Sequence, residues 1–97
     1  MTFDEKLQSD YYRNKINDGY TRPRGPVGSP ERGEIHRKNR ELEGAVAAEF
    51  KKDLFEEYGV ENNPKADKAY SIAYDHGHSG GYNEVAGYFG ELVELIR

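Results

Sequence analysis

The chain has 97 residues and a formal net charge of −4, with 35% of residues apolar and 33% charged. So little apolar material makes one small domain that leans on self-association or a partner for stability the expected outcome. The lack of cysteine excludes disulfide staples and thiolate metal sites, no apolar run approaches the roughly 20 residues of a membrane span, and the polar start lacks a signal-peptide core, so a cytoplasmic protein is expected.

The charge is unevenly spread. Residues 1–40 hold nine Lys/Arg against six Asp/Glu, and residues 41–97 hold five against twelve. A basic arm on an acidic body is the natural reading, with the two halves pairing inside one molecule or between copies.

Residues 1–18 are expected to form a short helix: Phe3, Leu7, Tyr11 and Ile16 recur at helical spacing, and Asp18-Gly19 ends the segment. Residues 19–29 interleave Pro23 and Pro26 with Gly19, Gly25 and Gly28, which predicts an extended or mobile linker. Ser29-Pro30-Glu31 then supplies an N-cap, a first-position proline and an acid in the first turn. Ile35, Leu42, Val46, Phe50 and Leu54 form one stripe up to Gly59, so a long helix is predicted over 30–58. Asn63-Pro64 opens a second. Its apolar residues, from Ala69 to Leu95, keep helical spacing to the end of the chain. The predicted fold is therefore all-α: a short N-terminal helix, a Pro/Gly linker, and residues 30–97 as an antiparallel hairpin of two long helices, expected to be oligomeric.

The stretch from Gly77 to Gly81, GHSGG, has the letters of the G-x-S-x-G nucleophile elbow. That elbow requires a strand before the serine and a histidine after the acid later in the chain. Here a helical, polar segment precedes Ser79 and no histidine follows it, so Ser79 is not read as a nucleophile and no catalytic residue is assigned. Continued as a helix, Ala73, Gly77, Gly81 and Val85 stack four apart and form a smooth strip for close helix contact, with Tyr88 beyond. A break at Gly80-Gly81 is the alternative. On the continuous helix His78 and Tyr82 share a face, with Ser79 alongside and Glu84 nearby, a polar patch suited to a partner.

His76 and His78, two apart, point away from each other on a straight helix, so no metal site is assigned and no cofactor is expected. Arg22, Arg24, Arg37, Lys38 and Arg40, with Tyr11, Tyr12 and Tyr20 nearby, have the ingredients of nucleic-acid or nucleotide binding, which stands as the alternative function. The acidic overall balance argues against it.

The segment from Ala69 to Ile96, with Gly77-His78-Ser79 and Gly81-Tyr82-Asn83-Glu84-Val85 at its centre, resembles the C-terminal part of small, uncharacterised bacteriophage proteins. The resemblance covers the last third of the chain and brings no activity with it. It implies phage origin and a non-enzymatic role in binding and modulating a host protein, in host takeover or in evading host defence. Those functional expectations rest on association rather than fold.

Overall fold

Thr2 starts the first helix through a capping box, its hydroxyl accepting from the Glu5 N–H and the Glu5 carboxylate accepting from the Thr2 N–H. The computed structural model describes residues 1–77 and 81–97, and in it the helices are α1 (Phe3–Gln8), α2 (Tyr11–Gly19), α3 (Pro30–Tyr58), α4 (Pro64–Gly77) and α5 (Tyr82–Ile96). No strand occurs among the described residues.

The single N-terminal helix expected over 1–18 is two. The Ser9 hydroxyl donates to the Glu5 carbonyl at 2.8 Å, and Asp10 sits in the left-handed region with φ 54°. The Ser9 hydroxyl bonds the local backbone in place of the helix ladder, and aspartate is one of the few residues that enter the left-handed region at single positions. The bend turns Phe3 and Leu7 of α1, and Tyr12 and Ile16 of α2, onto the same side of α3.

α3 forms as the sequence predicts. The Ser29 hydroxyl accepts from the Arg32 N–H, and Pro30 takes the first position. At the other end Gly59 adopts φ 65°, and the Val60 and Gly59 N–H groups donate to the Phe55 and Glu56 carbonyls in a Schellman arrangement. Val60 and Phe55 are both buried, the apolar contact that accompanies this cap.

The linker is more ordered than its composition suggests. Asn39 is buried on α3 and grips Thr21 twice: its Oδ1 accepts from the Thr21 N–H at 2.9 Å, and its Nδ2 donates to the Thr21 carbonyl at 2.8 Å. Further on, the Ser29 N–H donates to the Pro26 carbonyl across a tight turn, with Gly28 at φ 84°, the positive value that a type II turn requires of its third residue.

The second long helix is divided in two. α4 ends at Gly77, and Gly81, immediately before α5, has φ 83° and ψ −166°, which no helix accommodates. α4 and α5 pack side by side. Phe50 of α3 meets Tyr82, while Phe55 and Tyr58 meet Phe89, so α5 runs alongside the C-terminal half of α3 in the same direction. Ala66, Ala69 and Ala73 are buried on α4, small enough to admit the larger rings around them.

Aromatic rings meet at the centre of the core. Phe50 is fully buried at its centre, with the rings of Phe3, Tyr12, Tyr70 and Tyr82 at 6.0, 5.0, 6.5 and 4.7 Å. These rings come from every other helix, so one side chain links all five elements. The N-terminal half of α3 extends away from this cluster and gives the molecule its long axis of 50 Å.

Candidate functional site

Tyr82 does not present itself to a partner as the sequence reading expects. It is half-buried against Tyr12 and Phe50, because α5 begins at Tyr82 and its first turn lies on the N-terminal helices. Burial pushes its phenol pKa up. Glu84 is exposed in that first turn. His78 and Ser79 lie outside the described residues. What precedes Ser79 is the helix α4, where a nucleophile elbow needs a strand.

The glycine strip is also rearranged. Gly77 closes α4 and Gly81 precedes α5 with positive φ, so the two do not share a helical face with Val85. Val85 is core, and Tyr88 is half-buried with its ring 5.1 Å from that of His76. Close approach through a glycine does occur, one helix later. A Cβ on Gly90 would stand 2.8 Å from the Tyr58 hydroxyl, so this glycine lets α3 and α5 draw together.

Beside that approach α1, α3 and α5 leave an open groove of about 270 Å³. It is lined by Phe3, Leu7, Tyr58, Ala86 and Gly87 together with the polar side chains of Asn83, Asp4 and Glu57. The Tyr58 phenol is raised by burial and then by the negative charges of Glu57 and Asp4, which places both carboxylates close to it. No salt bridge reaches Asp4, Glu56 or Glu57 among the described residues. The groove thus mixes apolar side chains with one amide and two carboxylates, and its charge is acidic.

A second polar centre lies behind α1. Asp53 on α3 accepts from the Lys6 ammonium at 2.8 Å and from the Tyr12 hydroxyl at 2.6 Å. Burial alone would raise the Asp53 pKa, but the Lys6 and Tyr12 bonds outweigh it and hold the carboxyl below its ordinary 3.8. The Tyr12 phenol is pushed up, by burial and then by the Asp53 carboxylate. Each partner keeps the others in their protonation states at neutral pH, so the cluster acts as a fixed clamp and not as an acid–base pair. The sequence gives no hint of it, since its members stand 41 and 47 residues apart. A depressed folded-state pKa stabilises the protein above the unfolded value and is lost as pH falls through the folded one. Stability is therefore expected to decline below about pH 4. Asp53→Asn is expected to cost about 1 kcal/mol at pH 7 and to flatten that acid limb, as urea titrations across pH would show.

The basic arm is partly neutralised. Arg37 bonds both Glu34 and Glu41, and Arg24 pairs with Glu31 at 3.4 Å. Arg22, Lys38 and Arg40 are exposed. These acids reduce the field that a phosphate backbone would feel.

The chain matches the family described as "Family of unknown function (DUF8546)" over residues 1–97, and it belongs to that family. No curated protein and no solved structure matches it. Among the described residues no helix is long and apolar enough to cross a membrane.

Proposed function

We propose that the protein is a non-enzymatic accessory protein of phage origin that works as an oligomer and binds a host protein in the cytoplasm. The observation that supports this reading is the apolar surface left on the α4–α5 pair. Leu95 is 81% exposed and Ile72 38%, in a chain with few large apolar residues to spare. His76 lies beside Tyr88, so Ile72 one turn earlier and Leu92 one turn later share the same seam, with Leu95 at its end. Exposed Glu91, Glu94, Lys68 and Asp75 supply a charged surround, the usual anatomy of a protein contact. Glu84 lies on the same helix. Nucleic-acid binding through Arg22, Arg24, Arg37, Lys38 and Arg40 draws less support, because acids accompany two of the five.

The test is affinity capture from host lysate with the wild-type chain and with an Ile72→Ser/Leu95→Ser double variant. One host protein is expected to be retained by the wild type and lost by the variant. Equal retention by both, or retention of nothing, would refute the reading.

A further inference from the structure

The turn at Pro26–Ser29 carries Val27 at its tip with 90% of its surface exposed, an extreme position for a branched apolar residue. The tip is held firmly. The Arg32 guanidinium donates to the Gly25 carbonyl at 3.1 Å, and the Arg24–Glu31 pair braces its base. Arg24 and Arg32 flank the turn and exposed Arg22 precedes it, so even with Glu31 paired to Arg24 the charge near the tip is net positive. Val27 is an exposed apolar knob among these cations.

The groove between α1, α3 and α5 has the complementary features: Phe3, Leu7 and Tyr58 along it, open space left by the missing side chain of Gly87, and the carboxylates of Asp4 and Glu57, with the Asn83 amide also in the lining. Of the cations near these carboxylates, Lys6 is engaged by Asp53 and Arg97 by the Tyr58 carbonyl. Knob and groove sit at opposite ends of the same helix. Pro30 and Tyr58 bound α3, and at 1.5 Å per residue they stand about 42 Å apart, so the knob cannot reach the groove of its own molecule.

We infer that the groove receives Val27 of a second copy, joining molecules head to tail. This rests on the oligomeric part of the function proposed above and supplies its interface. Such a contact uses different patches on the two partners, so it extends into rings or filaments instead of stopping at a two-fold dimer. Its charged surround makes it weaker in high salt.

Sedimentation velocity of the full chain over a concentration series at low salt tests the contact. The wild type is expected to grow beyond a dimer as concentration rises, and to dissociate when salt is added. Val27→Ser removes the knob at an exposed turn position. Gly87→Gln fills the groove at a helical position where a Cβ would meet nothing within 4 Å. Neither substitution strains the fold, and each variant alone is expected to be monomeric. Mixed in equal amounts, they should form a one-to-one complex and nothing larger, because only one intact knob and one intact groove remain between them. A wild type that stays monomeric overturns the oligomer and this contact together. A wild type that associates while either variant still does, or a mixture that stays monomeric, overturns this contact and leaves the oligomer standing.

Discussion

Phe50→Ala is expected to cost about 3–5 kcal/mol, which for a domain of this size is a large share of a total of about 5–15 kcal/mol. The reason is the position of the ring as much as its size. Phe50 has no exposed surface, and the four rings around it belong to α1, α2, α4 and α5. Truncation leaves a cavity whose walls are held by separate helices, and those walls cannot collapse without re-docking the helices themselves. The three buried alanines of α4 offer no longer side chain that could swing in to fill the space. Urea unfolding followed by circular dichroism would measure the loss. Leu95→Ala makes the control: at 81% exposure it removes a side chain of similar hydrophobicity and should move the midpoint by about 0.5 kcal/mol or less. Similar losses for the two substitutions would show that the aromatic cluster is not the centre of stability.

How much of this was legible in the sequence depends on the range over which each signal acts. α3 was readable because its start, its apolar stripe and its end are all local: a serine, a proline, a four-residue spacing, a glycine. The break at Asp10 was hidden, and the one at Gly80-Gly81 stood only as the alternative, because apolar spacing continues across both. Phe3, Leu7, Tyr11 and Ile16 fit one helix on paper, yet Asp10 at φ 54° turns the chain between the second and third of them. Ala73, Gly77, Gly81 and Val85 fit another, though Gly81 is not helical. Spacing reports which residues seek burial, and a bent chain can bury them as well as a straight one. The half-burial of Tyr82 against Tyr12 and Phe50 follows from the same presumption, since pairing it with His78 required a continuous helix. The Asp53 clamp and the groove needed the tertiary arrangement, as their members come from distant helices.

The glycines allow a sharper test, since the same substitution is expected to act with opposite sign at two of them. At Gly81, φ 83° with ψ −166° lies in a region that only glycine occupies comfortably, and an added Cβ would run into the guanidinium of Arg13. Gly81→Ala is expected to cost about 1–3 kcal/mol from backbone strain. The Arg13 guanidinium, itself engaged, must shift as well, which adds to the cost, and the larger Gly81→Leu should cost more. At Gly87 the backbone is helical and a Cβ would meet nothing within 4 Å. Gly87→Ala should therefore gain up to about 1 kcal/mol from helix propensity. For a chain of this length each kcal/mol moves the melting temperature by about 4–8 °C, so the two variants should separate clearly from the wild type in opposite directions. Were the chain one continuous helix from α4 into α5, both positions would be helical interiors and both alanines would stabilise. A rise in melting temperature for Gly81→Ala would therefore restore the unbroken helix.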